Sequence, residues 1–139
     1  MKKMLMPLGL LALLLAACVP AATGPEPGDL TGADWQLVNI QYPDGTVSTP
    51  SFGEYGISFD AVEGRMFVVA DCNSGSAPYE AGKDGGLAFG PIMLTRVACP
   101  PGSISDEFVL QLGLTDGFGV TDGFLHLSTR DDAALVFGR

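Results

Sequence analysis

Turn-forming steps divide most of this 139-residue chain into short segments. Pro43-Asp44-Gly45, Val62-Glu63-Gly64, Lys83-Asp84-Gly85-Gly86, Asp122-Gly123 and Arg130-Asp131-Asp132 combine residues that tolerate positive φ or hydrogen-bond their own backbone. Apolar, β-branched and aromatic runs lie between them. The spacing predicts strands over 35–40, 56–60, 65–70, 77–80, 87–89, 93–97, 117–121, 124–128 and 134–137. The run at 65–70 is the most continuous and is expected centrally in the sheet. One segment has another period. After the break at Pro100-Pro101-Gly102, Ile104, Phe108, Val109 and Leu112 recur at helical spacing. Ser103 with Asp106 three residues on reads as the N-terminal cap, and Gly113 as the stop. The pattern predicts a mainly β (α+β) domain. An antiparallel sheet curls around one core, and the helix covers its open side or end. The echo of Thr115-Asp116-Gly117-Phe118 in Thr121-Asp122-Gly123-Phe124 reads as hairpin chemistry, since two copies do not make a repeat protein.

The first 33 residues follow other rules. Lys2 and Lys3 precede an apolar stretch from Met4 to Leu15, and Ala16 and Ala17 lead to Cys18. That is the order of a secretory signal, and the stretch is shorter than the roughly 20 apolar residues of a spanning helix. Leu15-Ala16-Ala17-Cys18 resembles the lipobox of bacterial lipoproteins. The resemblance implies cleavage before Cys18 and a lipid on that cysteine; an ordinary signal peptide with a chance cysteine is the alternative. Val19, rather than Asp, resembles the sorting pattern of enteric outer-membrane lipoproteins. Residues 19–33 are rich in Pro and Gly without an apolar period and read as a tether. The expected organisation is a lipoprotein signal peptide over 1–17, the lipidated Cys18 and tether over 18–33, and one domain over 34–139. The expected location is the cell envelope, anchored by lipid to the outer membrane and facing the periplasm.

Charge narrows the partners. Without Lys2 and Lys3, five Lys and Arg remain against 16 Asp and Glu, so the side chains of the mature form sum to −11. Nucleic acid needs clustered basic residues and is not an expected partner. Anionic headgroups are disfavoured for the same reason, which leaves the membrane contact to the lipid. The acidity itself reads first as solubility.

With Cys18 assigned, Cys72 and Cys99 remain, an even number in a compartment where disulfides persist. They are expected to pair, which stabilises by about 3 kcal/mol in the chain-entropy account. Two buried free thiols are the alternative. A metal site is disfavoured, because His126 is the only histidine and no C-x-x-C step is present. No cofactor is expected. His126 alternates with Phe124 and Ser128, opposite Leu125 and Leu127, and reads as a half-exposed strand histidine. A His–Ser–Asp set can be composed on paper, yet no Gly-x-Ser-x-Gly turn places a nucleophile. Asp131 and Asp132 sit in a turn and read as solvated. No catalytic residue is assigned, and the chain is not expected to be an enzyme.

From Trp35 onward the order of landmarks resembles the META domain, the HslJ-like family of bacterial envelope proteins. The carriers are Trp35-Gln36-Leu37, then Asp71-Cys72-Asn73-Ser74-Gly75-Ser76-Ala77-Pro78-Tyr79, then Thr95-Arg96-Val97-Ala98-Cys99, a helix, and the closing strand Leu135-Val136-Phe137. The match spans residues 35–139. Asp71 stands where the family usually has glycine, and Val97 where it has methionine. The resemblance implies a small, incompletely closed antiparallel β-barrel with a packed helix. It implies family-motif roles for Trp35, Asn73, Tyr79, Thr95 and Arg96, which read as structural. Asn73 is expected to tolerate left-handed backbone or cap turn amides, and Arg96 to meet carbonyls or carboxylates. The expected function is a non-catalytic envelope lipoprotein that contacts another envelope protein and supports envelope integrity or stress tolerance. One alternative is a carrier or pilot taking an acyl chain or apolar peptide in a cavity lined by Trp35, Phe59, Phe67 and Phe89. Another is an inhibitor of a hydrolase such as a lysozyme.

Overall fold

In the computed structural model, which describes residues 24–139, a 3₁₀ turn (Pro27–Leu30) leads into the sheet. The strands are β1 (Trp35–Gln41), β2 (Val47–Ser48), β3 (Tyr55–Asp60), β4 (Arg65–Ala70), β5 (Asn73–Ala81), β6 (Leu87–Phe89) and β7 (Met93–Leu94). Helix α1 (Ser105–Gly113) follows, then β8 (Thr115–Thr121), β9 (Phe124–Thr129) and β10 (Ala134–Gly138). Eight strands pair in the order β6-β5-β4-β3-β1-β10-β9-β8, with β2 on β1 and β7 on β5. Every strand pairing is antiparallel. Between β6 and β8 the pairing shrinks to a bridge of Gly86 with Gly117 and the Phe118 N–H donating to the Gly85 carbonyl at 2.8 Å. The sheet is therefore a nearly closed barrel with a narrow seam.

Period-two alternation sets the inside. On β4, Met66, Val68 and Ala70 are buried while Phe67 and Val69 face out; on β9, Leu125 and Leu127 are buried while Phe124 and His126 are exposed. Strand β4 lies between β3 and β5, the central position expected of it. Trp35, Phe108 and Phe137 are fully buried. Aromatic contacts fill the interior: Phe59 meets Tyr79 edge-on at 5.0 Å and stacks on Phe89 at 6.2 Å, and Phe108 meets Tyr55 at 5.8 Å and Phe137 at 6.1 Å.

Helix α1 buries Phe108 and Leu112, as the helical spacing required. Its flanks are tied to the barrel by polar contacts. The Tyr42 hydroxyl donates to Glu107 Oε1 (2.6 Å) and the Ser48 hydroxyl to Glu107 Oε2 (3.0 Å). Burial, and then this contact with Glu107, push the Tyr42 phenol above its ordinary range. Gln111 Nε2 donates to Asp131 Oδ2 (3.2 Å), and an Arg130 guanidinium nitrogen donates to the Gly113 carbonyl (3.2 Å).

Several expectations are corrected. The tether is not structureless up to residue 33. Leu30 is fully buried, and the Trp35 indole N–H donates to its carbonyl at 2.9 Å, so 27–30 belong to the packed unit. Proline and glycine hid this, because one buried leucine creates no period. Cys18, the expected signal peptide over 1–17 and the start of the expected tether lie outside the described residues. Strand β5 begins at Asn73, four residues before the expected start. Ser74, Gly75 and Ser76 carry little strand signal, yet a Cβ at Gly75 would collide with the Met93 carbonyl, so only glycine lets β7 approach. Strand β7 ends at Leu94, short of the expected 97, and β2 was not anticipated. Ile104, rather than Ser103, occupies the N-cap position of α1; Ser103 Oγ accepts from the Ser105 N–H (3.2 Å) just outside it.

The Thr-Asp-Gly-Phe echo divides. Asp122 and Gly123 both have positive φ and make the β8–β9 turn. The register shifts between Thr115 and Gly117, so the first copy is an irregularity in β8. Asp131 is not merely solvated. The Thr129 hydroxyl first, and the Gln111 amide second, hold its carboxyl below the ordinary range. A lowered folded pKa gives stability that is present above the unfolded value near 4 and lost as pH falls through the folded one. Asp131→Asn is therefore expected to flatten the fall of Tm below about pH 4, which melting curves from pH 2 to 7 would show. An unchanged acid limb would mean that other carboxylates govern it.

Candidate functional site: the asparagine and disulfide clasp

The chain turns from β4 into β5 through Asp71 and Cys72. Asp71 has φ of +58°, the left-handed region. Glycine would adopt this conformation most freely, and aspartate tolerates it better than most residues. The Asp71 N–H donates to the Glu54 carbonyl (2.6 Å), while its carboxylate Oδ2 is buried without a partner. The left-handed residue is Asp71 and not Asn73, which opens β5 in extended backbone.

Asn73 instead works through its side chain. Its Oδ1 accepts from the Val97 N–H (2.7 Å), and its Nδ2 donates to the Val97 carbonyl (3.0 Å). One amide therefore satisfies both backbone groups of a residue beyond the end of β7, as a neighbouring strand would. Oδ1 also accepts from the Thr95 hydroxyl (3.0 Å), whose oxygen accepts from the Ser74 N–H (3.1 Å). The Thr95 N–H donates to the Ser74 carbonyl (3.0 Å). Asn73 is 8% exposed, so these partners replace solvent.

Cys72 and Cys99, 27 positions apart in sequence, are joined in a disulfide with Cα atoms 5.4 Å apart. Asn73 Nδ2 lies 3.4 Å from each sulfur. The covalent bond and the amide thus clamp one segment, residues 95–99, onto the start of β5. Beyond the clamp the chain turns at Pro100-Pro101-Gly102. The Tyr55 hydroxyl accepts from the Ile104 N–H (3.0 Å) and shares a hydrogen bond with Ser103 Oγ (3.1 Å). A polar cleft of about 340 Å³ lies between this turn and the first turn of α1, lined among others by Asn73, Cys99, Pro101 and Ser105.

The structure brings together Cys72, Cys99, Asn73 and Thr95. Trp35 and Tyr79 lie elsewhere, in the barrel interior, where Tyr79 packs on Phe59 and burial raises its phenol pKa. Arg96 is exposed and donates no hydrogen bond to the carbonyls or carboxylates expected for it among the described residues. Tyr55 was not anticipated; its signal was a lone aromatic before a strand, which has no local meaning. The Ser128 hydroxyl donates directly to Asp116 Oδ1 (2.9 Å), so its only proton is already directed away from His126. Among the described residues no three His, Cys, Asp or Glu side chains are grouped to hold a metal. What the clasp does chemically is fix backbone: it holds an irregular loop against the barrel without a full ladder.

These features define a small, incompletely closed antiparallel barrel whose loop before the helix is fastened by a disulfide and an asparagine. The META domain pattern matches residues 28–139, and the chain belongs to that family. A protein from Burkholderia xenovorans, solved by NMR, shares the fold with a TM-score of 0.68 and 23% identity over 85% of this chain and 92% of that one. A DUF4847 family protein from Bacteroides vulgatus, solved by crystallography, does so with a TM-score of 0.55 and 16% identity over 78% and 93%. No curated protein matches the chain.

Proposed function

We propose that this protein is a non-catalytic binding module of a bacterial envelope, held by a lipid on Cys18 at the outer membrane, facing the periplasm. There it supports envelope integrity or stress tolerance through contact with another envelope protein. The observation that carries the reading is the filled interior. Phe59, Tyr79 and Phe89 occupy one part of it, and Tyr55, Phe108 and Phe137 another. A barrel filled by its own aromatics offers its outside rather than its inside. The carrier alternative needed Trp35, Phe59, Phe67 and Phe89 around one cavity. Phe67 is instead 42% exposed on the outer face, and Trp35 is fully buried. The Leu15-Ala16-Ala17-Cys18 run supports the anchor.

The test is crosslinking of the full-length chain in cells, with mass spectrometry of the products and Cys18→Ala as the control. One dominant envelope partner, lost in the control, is the expected result. A lipid that co-purifies in stoichiometric amount, with no protein partner, would return the carrier reading.

A further inference from the structure

The outer face of β1, β3 and β4 has an uneven relief. Phe67 and Val69 project from β4 and are 42% and 40% exposed. Their partners across β3 are Ser58 and Gly56, and across β5 Ser76 and Ser74. Two apolar side chains therefore stand between rows of small ones. On the β3 side the drop forms a trough of about 210 Å³ with Gly56 in its lining and Gln36 of β1 on the far side. Gly56 must stay bare, since a Cβ there would lie 2.9 Å from the Trp35 carbonyl oxygen. Asp34 precedes β1 and Glu54 precedes β3; because these strands run antiparallel, the two exposed carboxylates reach the trough from opposite ends. No Lys or Arg lines it.

We infer that this trough is the docking surface for a cationic protein segment, one that seats an apolar side chain against Phe67 and Val69 between basic residues that meet Asp34 and Glu54. The claim rests on the binding-module reading above and names the face and the chemistry of the partner. Charge selects among occupants. The described residues carry five basic side chains against 16 acidic ones. A second copy of this chain and an anionic bilayer would both be repelled, whereas a basic segment is attracted and steered. Apolar contact with the exposed aromatic supplies the anchor, and the terminal carboxylates set the register.

The probe is a fluorescent peptide of alternating Lys and Leu, titrated by anisotropy against the full chain in zwitterionic nanodiscs. Peptides of alternating Glu and Leu, and of Lys and Ser, are the controls. Phe67→Ser and the pair Asp34→Asn, Glu54→Gln are each expected to weaken binding at least fivefold without lowering Tm, the charge pair also flattening the salt dependence. Leu110→Ser, on the exposed side of α1, should leave affinity within twofold. The proposal is overturned if Phe67→Ser binds as tightly as the parent, or if the Glu–Leu peptide binds equally well. It is also overturned if the chain self-associates through this face, or if the chain without peptide binds anionic vesicles through it. In cells, a photocrosslinker at Ser58 should capture the dominant partner. Capture only from a crosslinker at Leu110 would keep the binding module and discard this face.

Discussion

Trp35→Ala is expected to lower the unfolding free energy by about 4 kcal/mol, within the range for truncating a buried aromatic. For a domain of this size that corresponds to a fall in Tm of roughly 15 °C. Three losses combine. The indole is fully buried, so its removal leaves a cavity in a closely packed interior. Its N–H holds the Leu30 carbonyl at 2.9 Å, which fastens the 3₁₀ turn to the barrel. The Arg139 guanidinium carbon lies 4.8 Å from the ring centroid and loses that partner. Trp35→Phe separates these effects. It keeps most of the packing, leaves the Leu30 carbonyl unpaired, and should cost about 1–2 kcal/mol. Hydrogen exchange would then show faster opening at residues 28–31 in Trp35→Phe than in the parent. A Trp35→Ala protein melting within 3 °C of the parent would mean that this residue does not seal the barrel.

The second large effect is expected at the clasp. Replacing Cys72 and Cys99 together by Ser should cost about 3 kcal/mol, because the disulfide closes a loop 27 positions long. Asn73→Ala should cost about 1–2 kcal/mol, because it removes the buried amide that pairs both backbone groups of Val97. The two changes act on one segment. The triple mutant should therefore be less destabilised than the sum, since a loop already released by one change has less left to lose from the other. Thermal melts in oxidising buffer measure all three. Strict additivity would show that the disulfide and the asparagine hold the loop independently. A double cysteine mutant with parental Tm would remove the disulfide as a stabilising element.

Legibility in the sequence tracked how local the cause was. The β8–β9 turn was readable because Asp122 and Gly123 supply positive φ from within two residues. The inward row on β9 and the face of α1 were readable because period is a property of neighbouring positions. Asn73 was flagged by family resemblance, but its task was not. The residue it serves, Val97, is 24 positions away, and no local rule connects an asparagine to that backbone. Phe67 shows the reverse difficulty. It sits in an unbroken apolar run, which suits a fully buried strand as well as a half-exposed one. Only the register with Ser58 and Ser76 assigns it to the outside.

By itself the sequence determined the antiparallel, mainly β class and the single helix with its buried face. Turn chemistry and side-chain period act at short range, so they need no coordinates. Only the tertiary structure decided that Leu30 joins the core, that Asn73 stands in for a missing strand at Val97, and that Phe67 beside Gly56 forms a trough. Each of these depends on which distant strand lies alongside, and that is settled when the whole sheet closes and hydrophobic burial selects one register.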